Sequence, residues 1–320
     1  MTYGSIITRF PPTPIHFLPS FSDSNRIYIK RDDLIPFMFG GNKVRLARLF
    51  LEDMKKHGKD CMIAYGSAKS NLVRAIAGAC SVSGVPCHAV ISAEGESSNL
   101  AMAEVCGAVI TRCKKNGVQE AVESVISSCR EKGFSPYYIY GDSTGAGNEA
   151  VPAAAYAEVY QEICAQEEEM GERFDLIFLA SGTGMTQAGL IAGSILGGDD
   201  PSRVVGISVA RGRAIGERYI RAYVEAYIES IGISVPSFPV VFLDAYCSGG
   251  YGTGSRDQTD VIRQLLIREG VPSDVTYVGK GFAGMLSYLE ESGIKGKRVL
   301  FLHTGGTPLF FDDFAGRAMR

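Results

Sequence analysis

The chain has 320 residues, a formal net charge of -3, 46% hydrophobic and 21% charged residues. At this length a sizeable core forms without disulfide or metal staples, and a prior of roughly 150 residues per domain gives two domains. The acidic balance lacks the basic surplus of a nucleic-acid binder, and no run of about 18 apolar residues marks a membrane span. Eight cysteines include no CxxC pair, and four histidines are scattered without ligand spacing. The expectation is therefore reduced, buried thiols in a cytoplasmic protein, with no metal. The N-terminal "MTYGSIITRFPPTPIHFLPS" lacks a basic segment followed by a long apolar one and does not read as a signal peptide.

In chain order, "RIYIKRDD" reads as a strand, followed by a helix from Asn42 to about His57. "CMIAYG" is a buried strand, Ser70 to about Ser83 a helix, "PCHAVISA" a strand and "SSNLAMAEVCG" a helix. "AVITRC" and "PYYIYG" are strands around the helix "GVQEAVESVISSCREKG", and a long helix spans roughly Asn148 to Met170. Then come the strand "DLIFLAS", a helix after Gly184, the strand "RVVGISVA", a helix through about Tyr227 and the strand "VVFLDAY". A helix near Arg256 to Arg268, the stretch "YVGKGFAGMLSYLE" and the strand "RVLFLHT" complete the pattern. Strands apolar throughout, each followed by a helix, predict an α/β fold of open, twisted, mostly parallel sheets flanked by helices. The Gly-rich "YGDSTGAGNEA" is the best candidate for a domain boundary.

Ligands of such sheets bind beyond the carboxyl ends of strands, and four loops there are unusual. In "FGGNKVRL", Gly40 and Gly41 allow close backbone approach, and Lys43 falls in a first helical turn. The positive helix end disfavours its ammonium form and suits a Schiff-base nucleophile; by itself the spacing is weak, because most lysines are solvated surface residues. In "YGSAKSNLVRA", Ser67, Ser70 and Asn71 crowd a helix start, either as an anion site or as a plain N-cap. In "LASGTGMTQAGL", backbone N–H groups from Gly182, Thr183, Gly184, Met185 and Thr186 could cradle a phosphate, or form a simple turn. In "FLHTGGTPLF", Thr304 could offer a hydroxyl to a ring nitrogen, with a structural glycine turn as the alternative.

In this order and spacing the loops resemble fold-type II pyridoxal-phosphate (PLP) enzymes of the tryptophan synthase β-like fold, and within them the D-cysteine desulfhydrase and 1-aminocyclopropane-1-carboxylate (ACC) deaminase group. "KRDDLIPFMFGGNKVRL", "SNLVRAIAG", "SGTGMTQAGL", "HTGGTPLFF", "GGYGTGS" and "VTYVGKGFAGML" carry the resemblance, which covers nearly the whole chain. It implies a PLP cofactor on Lys43 as a Schiff base. Asn71 would contact its phenolic oxygen, Ser181 to Thr186 its phosphate, and Thr304 its pyridine nitrogen. Ser70, Tyr251 and Tyr277 would face a small amino-acid substrate. It implies a larger PLP-binding domain of residues 1–46 plus 147–320, a smaller α/β domain of 47–146, and a homodimer.

Its departures leave the cofactor side largely intact and alter the substrate side. Leu72 stands where the family usually has His or Gln. Val278 stands where ACC deaminases have Glu and the desulfhydrases usually Thr. Met185 replaces a usual glycine in the phosphate loop, and "YGDSTGAGN" replaces a glycine-rich "GGSN" stretch. Valine cannot hydrogen-bond a pyridine nitrogen. The expected activity is α,β-elimination to pyruvate and ammonia, as by a D-cysteine desulfhydrase. ACC deamination, cysteate sulfo-lyase activity, β-replacement or racemisation, and a non-catalytic PLP-binding role are the alternatives. A dinucleotide enzyme is disfavoured, because no strand–GxGxxG–helix unit with a following acidic residue is present.

Overall fold

A computed structural model describes residues 10–92, 94–246 and 256–315. Two compact units divide the chain. Among described residues, the first comprises 10–11, 36–38, 43–92 and 94–151, and the second 12–35, 39–42, 152–246 and 256–315.

The second unit begins with β1 (Ile15–Phe17) and β2 (Arg26–Arg31). Helix α1 (Asn42–Lys56) starts on its last N-terminal residue and continues into the first unit. There β3 (Cys61–Gly66), α2 (Asn71–Ser83), β4 (Cys87–Ile91), α3 (Ser98–Val105), β5 (Val109–Arg112), α4 (Val118–Glu131) and β6 (Pro136–Tyr138) alternate. The four strands form a wholly parallel sheet in the order β5-β4-β3-β6.

Helix α5 (Ala150–Met170) leads back to β7 (Leu176–Ser181), α6 (Met185–Leu196), β8 (Val204–Ser208), α7 (Arg213–Ser230) and β9 (Val241–Leu243). Then follow α8 (Arg256–Glu269), α9 (Val278–Glu291), β10 (Arg298–His303) and α10 (Thr307–Ala315). This sheet runs β1-β2-β10-β7-β8-β9, parallel except for the antiparallel edge strand β1.

The apolar runs become central strands because helices cover the sheet. Ile27, Ile29, Phe178, Val205, Ile207, Val299 and Phe301 recur every second residue along β2, β7, β8 and β10. They pack with Val278, Phe282, Met285 and Leu289, which recur at helical spacing on α9. Phe282 meets Phe301 edge-on at 5.1 Å. The α/β architecture of two mostly parallel sheets is as read from the sequence. β1 and α10 are additions: β1 has only three residues after a proline-rich segment, and α10 begins on Thr307-Pro308 directly after Gly305-Gly306. The strands read in "PYYIYG" and "VVFLDAY" shorten to Pro136–Tyr138 and Val241–Leu243. Among described residues, no helix is long and apolar enough to cross a membrane.

Candidate active site

The approach to Lys43 is a left-handed turn. Met38, Phe39, Gly40 and Gly41 all have positive φ, at 45, 57, 62 and 96°. Such backbone is costly for the two non-glycine residues, which marks a segment held by its surroundings. The Met38 side chain lies against Gly78 of α2, leaving no room for a Cβ there. Gly41 N–H donates to the carbonyl of Asp32 at 2.8 Å, and Asn42 N–H to the carbonyl of Thr304 at 3.0 Å. A Cβ on Gly41 would come within 2.9 Å of the Thr304 oxygen, and one on Gly305 within 2.6 Å of the Gly41 Cα. Glycines of two separate sequence motifs thus pack backbone against backbone.

Asp32, buried under this turn, accepts from Thr13 Oγ1 at 2.7 Å and from the Tyr156 hydroxyl. Asp33 is held by a two-pronged bond from Arg31, at 2.9 and 2.7 Å. Lys43 is the second residue of α1, and burial pushes its ammonium down to about 8.

β7 ends at Ser181 and α6 starts at Met185. Gly184 caps that helix at φ 92°, and a Cβ there would strike Ile220 at 2.8 Å. Met185 is buried, so only its backbone remains for a ligand. Thr186 Oγ1 accepts from Asn42 Nδ2 at 2.8 Å, tying the phosphate-loop candidate to the residue before Lys43. Tyr277 is half-buried, with its ring edge 3.8 Å from where a Cβ on Gly182 would stand. Arg211, which sequence reasoning missed, donates to the Thr183 carbonyl at 3.1 Å and sets a cation beside the loop.

Thr304 closes the second unit's part of the site, beyond the carboxyl end of β10. His303 donates through Nε2 to the Pro272 carbonyl at 2.8 Å and accepts Gly305 N–H at Nδ1, which fixes the neutral tautomer. Burial also pushes its pKa down. Asp274 accepts N–H bonds from Thr276, Tyr277 and Val278 at 3.0, 2.9 and 3.1 Å, and so holds the start of α9.

The first unit carries Ser70 and Asn71 beyond the carboxyl end of β3. Ser70 is an N-cap, its Oγ accepting from Val73 N–H at 3.3 Å. Asn71 Oδ1 accepts from Asn99 Nδ2 at 3.0 Å and from Arg74 Nη2 at 3.3 Å. Leu72 and Val278, the departures from the family pattern, are both buried, and Val278 belongs to the α9 core. Tyr251 lies outside the described residues.

The fold also gathers Cys61, His88 and Cys129, with ligand atoms within 4.8 Å of one another, a grouping that sequence spacing did not reveal. Burial, with Cys129 beside it, pushes the Cys61 thiol up to about 12, which keeps it protonated. All seven described cysteines are free thiols.

A phosphate-bearing cofactor fits these residues. Ser181 Oγ is buried without a hydrogen-bond partner at the mouth of the loop. The first N–H groups of α6 have no intrahelical acceptors, as at any helix start. Lys43 is desolvated, which favours the neutral amine.

The fold is that of a fold-type II PLP enzyme. The chain belongs to the pyridoxal-phosphate dependent enzyme family, whose model matches residues 7–305. Among solved structures it is similar to an ACC deaminase homologue, at 29% identity over 100% of this chain and 99% of that one, with a TM-score of 0.83. In fold it is also similar to a hydrogen sulfide-producing enzyme from Fusobacterium nucleatum, at 18% identity over 94% of this chain and 97% of that one, TM-score 0.64. O-ureido-L-serine synthase is alike at 18% identity over 98% and 99%, TM-score 0.64.

Proposed function

We propose that this protein is a PLP-dependent lyase that converts a small amino acid to pyruvate and ammonia by α,β-elimination, in the manner of a D-cysteine desulfhydrase. The observation that carries this reading is the desolvated Lys43, one residue after the Asn42 that bonds the phosphate-loop Thr186. Ser181 to Thr186 would hold the phosphate, Asn71 the phenolic oxygen and Thr304 the ring nitrogen. When bound, the cofactor supplies an electron sink for charge developing at the substrate Cα.

Lys43 would anchor the cofactor, and its Nζ would take the substrate Cα proton. An ammonium pushed down to about 8 leaves a useful share of neutral amine near neutral pH. The bond from Cβ to sulfur then breaks, its electron pair leaves on the thiolate, and the released 2-aminoacrylate takes up water to give pyruvate and ammonia. The hydroxyl of Thr304 would leave the ring nitrogen unprotonated where a carboxylate would protonate it. That suits prompt loss of a leaving group better than prolonged storage of charge. Ser70, Tyr251 and Tyr277 serve the substrate side, holding its carboxylate and relaying protons. The assembly implied by the resemblance is a homodimer.

ACC deamination is the second reading, favoured by the likeness to an ACC deaminase homologue. Val278 argues against it, being an apolar residue packed in the α9 core where those deaminases carry Glu.

Purified wild-type enzyme is expected to show the visible band of the lysine-bound cofactor, and Lys43→Ala to lose both band and turnover. Turnover at the wild-type rate in Lys43→Ala refutes the assignment. Pyruvate release is expected with D-cysteine or a related amino acid carrying a leaving group at Cβ, assayed beside L-cysteine, β-chloroalanine and cysteate. 2-Oxobutanoate from ACC would establish the second reading instead, and no keto acid from any of them rules out both.

A further inference from the structure

The hydrogen bonds around Asn71 fix which end of its amide is available. Guanidinium groups only donate and backbone carbonyls only accept. Arg74 Nη2 lies 3.3 Å from one end of the Asn71 amide, so that end is the oxygen. Asn99 lies in α3, is 1% exposed and sends its Nδ2 to the Lys69 carbonyl at 3.1 Å, so its end nearest Asn71 is also a donor. It meets the same Asn71 Oδ1 at 3.0 Å. Two donors of fixed polarity therefore hold the oxygen and turn the Asn71 amino group the other way.

The arrangement is rigid. The start of α3 is stitched to the segment before Asn71, with Ser97 Oγ donating to the Ala68 carbonyl at 2.6 Å and accepting Leu100 N–H at 3.2 Å. Arg74 is fully buried, one helical turn beyond Ser70. A buried cation at the oxygen end of an amide polarises its N–H bonds and makes them stronger donors.

We propose that Asn99 and Arg74 are positioning residues that lock Asn71 as a hydrogen-bond donor, so that the phenolic oxygen it meets on the cofactor is held in its ionised form. The proposal rests on the cofactor reading above and adds to it the polarity of one contact and the two side chains that impose it. A donor favours the phenolate. An acceptor in the same place favours the neutral phenol, which can donate to it. The two forms of the lysine-bound cofactor absorb at different wavelengths, phenolate longer and phenol shorter, so the locked amide has a direct optical readout.

The test compares absorbance spectra of purified holoenzymes at one pH. Asn99→Asp is nearly isosteric but sets a charged acceptor against the Asn71 oxygen, which favours the amide turned round at the expense of the longer bond from Arg74. Asn71→Asp places an acceptor outright, and Asn99→Ala removes one donor while leaving Arg74 in place. Asn99→Asp is expected to move the phenolate-to-phenol ratio toward phenol by about tenfold, as one hydrogen bond to a charged group is worth. Asn71→Asp should match it, and Asn99→Ala should stay near wild type. A merely structural role predicts the reverse order, because the alanine variant loses more packing. Thermal unfolding of each variant confirms that the protein compared is folded.

An unchanged band ratio in Asn99→Asp beside a changed one in Asn71→Asp overturns the proposal. So does an unchanged ratio in both, while a wild-type band that disappears in Lys43→Ala keeps the cofactor reading intact. Absence of any such band in the wild type overturns the cofactor reading itself.

Discussion

Asp274 has a carboxyl wholly removed from water, and desolvation raises it to about 7 although three backbone N–H groups pull it down and the charge of Asp313 pushes it further up. Its ordinary value is 3.8. Between those two values the folded protein keeps a proton that the unfolded chain releases. The stability this group contributes is therefore full below about pH 4, falls as pH rises toward 7, and levels off above. Asp274→Asn keeps one acceptor oxygen and removes the titration. The variant should be less stable than wild type at pH 5, by a margin that narrows at pH 8, as thermal unfolding at the two pH values would show. Lys43 obeys the same physics with the opposite charge. Burial lowers its pKa, and there the neutral form is what the chemistry uses. The helical turn that carries Lys43 was legible from its residues, but the desolvation comes from the fold. Asp274, Arg211 and Asn99 carried no sequence signal beyond being polar. Arg74 is a charged residue inside the apolar run "NLVRAIAGA", a signal for a buried, partnered cation.

Among the elements, α5 and α6 cross on glycine. A Cβ on Gly189 would overlap the Tyr156 side chain and the Ala153 carbonyl, and one on Gly193 would overlap Tyr160. This contact keeps Tyr156 over Asp32, beneath the turn that leads to Lys43. Gly189→Ala should destabilise the protein by about 1–3 kcal/mol, the cost of overpacking, despite the better helix propensity of alanine. A melting temperature equal to or above wild type would contradict that close crossing. The central strands β7, β8 and β10 were legible because burial on both faces leaves unbroken apolar runs. β1 and α10 were not: β1 is stabilised by pairing with β2, a partner that no local pattern of "PIHF" announces.

For the whole molecule, a cofactor that binds the folded chain and not the unfolded one adds its binding energy to stability. At a hundredfold excess over Kd that is about 2.7 kcal/mol. Enzyme stripped of PLP should melt at a lower temperature and recover on adding it back, and equal melting of the two forms would place the cofactor outside the folded core of the site. The sequence by itself determined the α/β class, the family and the four loops that bear its motifs. Those follow from signals between neighbouring residues: apolar runs, helix starts, and glycines where backbone must turn. Tertiary structure alone decided the partners. Gly41 lies against Gly305, and Asn42 bonds Thr186 across 144 positions, because sheet register brings distant loops together. It also decided that Asn71 presents its amino group, since the direction of a hydrogen bond depends on the polarity of whatever stands on the other side.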